Sequence, residues 1–361
     1  MFLLPRLPRL LLLITVVLIS ISLTTTTASP TPSPQSAGPA GPAGPAKPGR
    51  KCMQRLRRRA WQVLTTREKK NYINAELCLM SRPAQTGLTA AVTRFDDLIK
   101  AHQVQAVVVH GDGWFLPFHR LIIWAHEKLL REECGYKGTQ PYWEQTITVG
   151  RVTKSSLLSP TTGFGGGGSA PDYCIVDGPF TNYTLHTGPG HENTEHCITR
   201  RLDESWSYGA SASNVSACLQ HDSYAKAWPC LEFAPHFAGH NSIGGEMANP
   251  ISSPGDPLFY LHHAWLDKLW WNWQARDLPA RLVDIAGYTS LAQPATGWVN
   301  ATLDDALNMF GIVPNATVRE VMDIGGDLLC AEYVEYVRPR WGDGLRIGET
   351  ARQGEEEEAE F

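Results

Sequence analysis

Residues 256–271, DPLFYLHHAWLDKLWW, hold a helix start and two adjacent histidines in one stretch. Asp256 is an N-cap residue, and Pro257 suits the first helical position, where a missing N–H leaves no bond unmade. The spacing predicts a helix to about Arg276. On it His262 and His263 diverge by about 100°, so the ring that serves one site turns its neighbour away from it. Asp267, four residues after His263, shares that face. It is placed either to stand behind a ligating imidazole and fix its tautomer, or to pair with Arg120 and join two helices.

Upstream, PHFAGHN places His236 and His240 four residues apart, on one helical face, where they can share an ion. A second triplet lies in residues 101–120, AHQVQAVVVHGDGWFLPFHR. Gly111, Gly113 and Pro117 interrupt the helix between His110 and His119. His110 therefore approaches from a loop, His119 from a helix reaching about Arg131, and His102 from the end of the preceding helix. His126 shares a face with His119 but lies about 10 Å further along the axis, too far for the same ion. Neutral imidazoles in triplets, with no cysteine among them, suit a borderline metal that keeps open positions for a substrate.

Helical periodicity extends on either side of these motifs. Trp61, Leu64, Tyr72, Ile73, Leu77 and Leu79 mark one core helix, and Val92, Phe95, Leu98 and Ile99 a second between Leu88 and Val108. Between Thr146 and Pro229, glycines and scattered prolines signal irregular loops. His186, His191 and His196 recur there every five residues, a period of neither helix nor strand, and read as surface histidines rather than a third metal site.

The 361-residue chain has a formal net charge of −4, which argues against nucleic-acid binding. Arg55, Arg57, Arg58 and Arg59 read as a solvated helix face. Residues 1–29 carry Arg6 and Arg9 before an apolar run from Leu10 to Leu23, a secretory signal too short for a stable membrane span. Residues 30–50, with GPAGPAGPA, form a linker or propeptide, residues 51–340 one domain, and residues 341–361 an acidic tail. Eight cysteines without a CxxC pair read as disulfides of unassigned pairing in an exported protein. Asn182, Asn214, Asn300 and Asn315 open sequons for possible glycans.

The run from His110 to Arg120, with His102 upstream, resembles the copper A motif of tyrosinases and catechol oxidases. His236-x3-His240 followed by residues 256–267 resembles their copper B motif, and the likeness spans Cys52 to Arg340, most like short secreted fungal members. The resemblance implies a mainly α fold: a four-helix bundle core holding two copper ions, with long loops and a few short strands. It implies His102, His110 and His119 on copper A, and His236, His240 and His263 on copper B. The implied reaction is oxidation of a small phenolic substrate by O2 to an o-quinone.

Neighbouring residues refine the implied reaction. In some members an acidic residue near copper B orients a water; Glu232 is the candidate, against a reading as a helix-start carboxylate on the surface. Phe237, Phe259 and Leu261 are candidates for the substrate pocket, against plain core packing. Phe237 stands where members that hydroxylate monophenols often carry asparagine, and Asn241 follows the second histidine. The expected substrates are o-diphenols, with o-aminophenols as further candidates and weak or absent hydroxylation of monophenols. Val108 replaces the cysteine that forms a thioether in some relatives. Phe118 replaces a tryptophan as packing, and Tyr333 and Tyr336 loosely resemble the tyrosine motif that closes the core. With only about 25 residues after Tyr336, no shielding C-terminal domain is expected. Competing readings are a full tyrosinase, a dioxygen carrier, a glycoprotein with a vestigial site, and a two-zinc hydrolase, which would require bridging carboxylates that are not evident.

Overall fold

The structure, a computed structural model, describes residues 51–337, so the leader, the linker and the acidic tail lie outside the described residues. It is mainly helical. Four long helices make the core: α1 (Thr66–Ser81), α2 (Arg94–Gln103), α3 (Phe115–Glu133) and, late in the chain, α7 (Leu258–Gln274). Between α3 and α7 come α4 (Ala212–Leu219), α5 (Tyr224–Leu231) and α6 (Phe237–Ile243), and α8 (Val318–Met322) follows α7. Helix α1 packs on α2 and α3, α3 packs on α7, and α6 lies against α7.

The sequence sets these helix boundaries locally. Thr65 with Glu68 closes a capping box on α1, and Thr93 with Asp96 does so on α2. Helix α2 is thus shorter than the expected 88–108 span. Val92 stays exposed before it and a 3-10 turn, Ala106–Val108, follows. Leu77, expected inside, is also exposed. At α7 the Asp256 carboxylate accepts the Leu258 N–H at 3.0 Å. Both its oxygens also hold the buried Arg200 guanidinium, at 2.6 and 2.9 Å, which neutralises a carboxylate buried from solvent one residue before the cap position.

Two expectations are corrected. The 146–229 region contains α4 and α5 as well as loops: Tyr224, Ala227, Trp228 and Leu231 are buried at helical spacing, and Pro229 is accommodated near the end of α5. The arginine cluster is not a helix face. Leu56–Arg58 is a strand, β1, paired in parallel with Ala331–Tyr333. Because side chains alternate along a strand, Arg57 faces solvent while Arg58 is buried against Glu127 at 2.6 Å and Asp267 at 3.5 Å. Burial opposes its charge, yet attraction to Glu127, Tyr333 and Asp267 raises its pKa.

Two short antiparallel pairs, Thr184–Leu185 with His196–Cys197 and Ala306–Leu307 with Ala316–Thr317, complete the sheets. All eight cysteines are joined: Cys52–Cys330, Cys78–Cys134, Cys174–Cys197 and Cys218–Cys230. No described helix is long and apolar enough to cross a membrane.

Candidate metal centre

Each histidine reaches the interior by a different local device. His102 is the penultimate residue of α2, and His119 lies in the second turn of α3. His110 sits in the loop between them, which turns at Gly111 with φ +65°, a conformation a side chain would oppose. His236 closes a π turn, Glu232–His236, that joins α5 to α6. Pro235 cannot donate a helical hydrogen bond, and the widened turn absorbs that loss. His240 follows on α6, and His262 and His263 lie near the start of α7.

These elements bring together two facing groups, His102 with His110 and His119, and His236 with His240, His262 and His263. Within the first, ring centroids are 5.0 to 5.5 Å apart. In the second, His236 lies 4.4 Å from His240 and 5.0 Å from His263. Nε2 of His240 and Nε2 of His263 are 3.1 Å apart. Across the gap, His119 stacks on His263 at 4.3 Å and 11°, and His110 faces His236 at 6.2 Å and 28°. All are buried except His110, which is partly exposed.

The far nitrogens show what the near ones are free to do. Nδ1–H of His102 donates to Ile251 O at 2.9 Å, that of His110 to Ala106 O at 2.9 Å, and that of His119 to Phe115 O at 2.7 Å. Nδ1–H of His236 donates to Glu232 O at 3.2 Å and that of His240 to Met247 O. A carbonyl only accepts, so these five rings carry their proton on Nδ1 and present an Nε2 lone pair inward. Nε2 of His102, His119 and His236 has no other partner.

Burial, as the first cause, holds all seven imidazoles below their ordinary pKa, His110 at about 4 and His240 at about 3. They are neutral at physiological pH, the form that binds a metal. The donor set therefore fits two metal ions of borderline softness.

His262 and His263 are not separated as simply as their 100° divergence suggested, since both rings lie in the second group. Their hydrogen bonds differ. The Gln145 amide NH2 donates to Nδ1 of His262 at 2.6 Å, so that ring carries its proton on Nε2. Of the two roles open to Asp267, the pairing with Arg120 is the one found, joined by a 2.6 Å bond from the Tyr333 hydroxyl. It does not stand behind His263, whose Nδ1 has no partner. Arg120 also donates to the carbonyls of Val321 and Met322, so Asp267 serves the junction of α3, α7, α8 and β1. His126 lies outside the group, between Gln140 at 2.9 Å and Glu76 at 3.1 Å and stacked on Tyr260.

Glu232 is no surface carboxylate, being 1 % exposed. Its Oε1 accepts the Gly111 N–H at 2.8 Å and its Oε2 has no partner, so it bridges the His110 loop and the His236 turn. Burial, aided by nearby Asp112, pushes its pKa up to about 8. Asp112, which sequence reading did not single out, is raised to about 7 by burial. Phe259 is fully buried, 4.1 Å from His263 and 5.4 Å from His102 by ring centroid. Phe237 is instead exposed beside His236 at 5.8 Å, edge-on to Phe233. Asn241 donates its amide to the Phe237 carbonyl at 2.9 Å. Leu261 is core, its carbonyl bonded to Trp143.

Two further expectations meet the structure here. With every cysteine in a disulfide, none is left for a thioether at His110. In the 184–197 loop His186 bonds the buried Asp96 at 2.9 Å and His196 lies 3.5 Å from Glu246. Those two histidines are therefore structural partners of carboxylates.

A helical core with two opposed sets of neutral, inward-facing imidazoles defines a class of paired-metal proteins. Residues 92–276 match the family model for the common central domain of tyrosinase, and the chain belongs to the tyrosinase family. It is 33 % identical over 301 residues to tyrosinase-like protein phomQ1 of Diaporthe leptostromiformis, covering 76 % of this chain and 77 % of that one. Identity is also 33 %, over 294 residues, to tyrosinase ustQ of Aspergillus flavus, covering 76 % and 78 %. It is 30 % over 336 residues to N-acetyl-6-hydroxytryptophan oxidase ivoB of Emericella nidulans, covering 76 % and 91 %. A polyphenol oxidase from Thermothelomyces thermophila superposes with a TM-score of 0.71 at 27 % identity, over 78 % of this chain and 89 % of that one. The protein is accordingly an oxidoreductase of this family.

Proposed function

We propose that this chain binds two copper ions, one on His102, His110 and His119 and one on His236, His240 and His263, and oxidises o-diphenols to o-quinones with O2. The carrying observation is the pair of facing imidazole groups with Nδ1 protons turned outward and Nε2 lone pairs turned inward. His262 is left out because its Nδ1 accepts from Gln145, which puts the proton on the nitrogen a metal would need. His263 is favoured by its Nε2, 3.1 Å from that of His240.

Two coppers supply a two-electron couple to dioxygen: two o-diphenols each lose two electrons and two protons, and one O2 becomes two waters. The chain's own part is to hold the rings and handle protons. Carbonyls fix five imidazoles, and Phe259 packs against His102, His119, His240 and His263 in an apolar wall. Glu232, protonated or ionised near neutrality, orients a water and exchanges a proton through its unpaired Oε2. Phe237 offers that water no polar atom, and the Asn241 amide is turned to donate one N–H to the Phe237 carbonyl, which favours o-diphenols over monophenols. The name of the ivoB relative, a hydroxytryptophan oxidase, supports room for substituted phenols.

Export is part of the proposal: residues 1–29 act as a removable signal, and disulfides and exposed Asn182, Asn214, Asn300 and Asn315 support an oxidising, glycosylating route. The test is copper quantification on the purified protein, followed by oxygen consumption with a monophenol, a catechol and an o-aminophenol. Two coppers with turnover of catechol far above that of the monophenol are expected. Absence of copper, or equal rates on phenol and catechol, would overturn the reading.

A further inference from the structure

Large apolar side chains stand exposed beside His110, the partly open ring of the two groups, and beside His236, which faces it. Leu291, in the loop after α7, is 60 % exposed, and its Cδ1 would lie 2.5 Å from a Cβ placed on Gly111. It therefore rests directly on the residue that follows His110. The loop is seated there by the Gly113 N–H, which donates to Tyr288 O at 2.8 Å. Ala286 O would meet a Cβ on Gly113 at 2.7 Å, so the close approach requires glycine. In the second group Phe237 follows His236, is 40 % exposed and is braced edge-on by Phe233 at 5.4 Å. The two sides are tied by the Gly111 N–H donating to Glu232.

A lone exposed leucine is ordinary; apolar groups flanking a buried reactive centre mark recognition. We infer that Leu291 and Phe237 are specificity-determining residues that select o-diphenols carrying an apolar substituent on the ring edge away from the hydroxyls. The inference rests on the o-diphenol reading. When the hydroxyls point toward the histidines, a substituent on the opposite edge leaves the site between Leu291 and Phe237. An alkyl group there is removed from water, whereas an ammonium or carboxylate loses solvation and finds no polar atom on the Leu291 and Phe237 side chains to replace it.

The test is a substrate series on the copper-loaded, full-length protein: 4-methyl-, 4-ethyl-, 4-propyl- and 4-butylcatechol, with L-dopa as the charged comparison. We expect kcat/KM to rise about two- to fourfold per methylene, the gain that burial of a CH2 supplies. L-Dopa should fall below 4-propylcatechol. Leu291→Ser should flatten the series, as should Phe237→Ser, whereas Val176→Ser, at an exposed valine in a distant segment of sequence, should keep the slope. Equilibrium dialysis of the metal-free protein supplies a reading independent of turnover, with 4-butylcatechol retained more tightly than 4-methylcatechol. A flat wild-type series, or a slope that survives both Leu291→Ser and Phe237→Ser, overturns the inference while leaving the o-diphenol reading intact. A copper-loaded protein that consumes no oxygen with any catechol overturns both.

Discussion

The two histidine groups use the same ligand chemistry and are held in place by different means. In the first, helix end, loop and second helix turn each deliver one ring, and every ring is anchored through Nδ1 to a carbonyl. In the second, one helical run delivers His236 and His240 with the same anchoring, but His263 has no hydrogen bond at Nδ1. Its orientation comes from packing, between His119 at 4.3 Å and Phe259 at 4.1 Å. A carbonyl anchor belongs to the backbone and tolerates side-chain change nearby; a packed anchor depends on the identity of its neighbours. The first group is thus robust to substitution around it and the second is sensitive.

The largest effect should come from the rings themselves. His119→Ala and His240→Ala are each expected to abolish catechol oxidation and remove one copper, so that metal analysis assigns each group its ion; loss of neither copper would break the pairing of groups to ions. Next comes the junction that keeps the groups opposed. Asp267→Asn leaves Arg58 and Arg120 buried without their shared carboxylate, and a loss of about 3–5 kcal/mol is expected in urea unfolding. A loss below 1 kcal/mol would show that β1 and α3 hold α7 without it.

Between the groups, Glu232 makes the balance pH-dependent. In the unfolded chain its proton leaves near 4.5, but in the fold it is kept to about 8. Across that window the folded state binds more protons, so metal-free stability should fall as pH rises from about 5 to 8 and level off above. Glu232→Gln should shrink the fall, Asp112 supplying the remainder; unfolding midpoints at three pH values measure it. Phe259→Leu keeps most of the core volume but loosens the packed anchor. It should weaken copper binding at the second group by about tenfold and spare the first, as read by chelator competition. The smallest effect is expected from replacing His186, His191 and His196 together by alanine: both coppers should stay, with some loss of thermal stability from the freed Asp96 and Glu246.

The second group was the more legible in sequence because its information is local. A four-residue spacing names a shared face, and Asp256–Pro257 names a helix start. The first group converges through a loop, and three histidines in 18 positions acquired meaning only from the resemblance carried by residues 110–120. What sequence reading missed has a common physical origin: it depends on partners distant in the chain. The anchoring carbonyls of Ile251 and Met247 could belong to any residue type. Gln145 decides the tautomer of His262 from 117 positions away. Arg58 looks solvated among its neighbours until β1 pairs with residues 331–333. Asp267 illustrates the opposite case: both its candidate partners were visible, and only the packing of α3 on α7 selected Arg120.

The parallel pairing of Leu56–Arg58 with Ala331–Tyr333, and the Cys52–Cys330 bond beside it, give the chain the connectivity of a clasped ring. Every histidine of both groups lies on the arc between the clasps. A single cut anywhere along that arc, for instance by a protease at the exposed 169–172 turn, parts the backbone yet leaves one covalent molecule. Only reduction would then release the halves, so in an oxidising medium a nicked chain keeps both histidine groups on one tethered body.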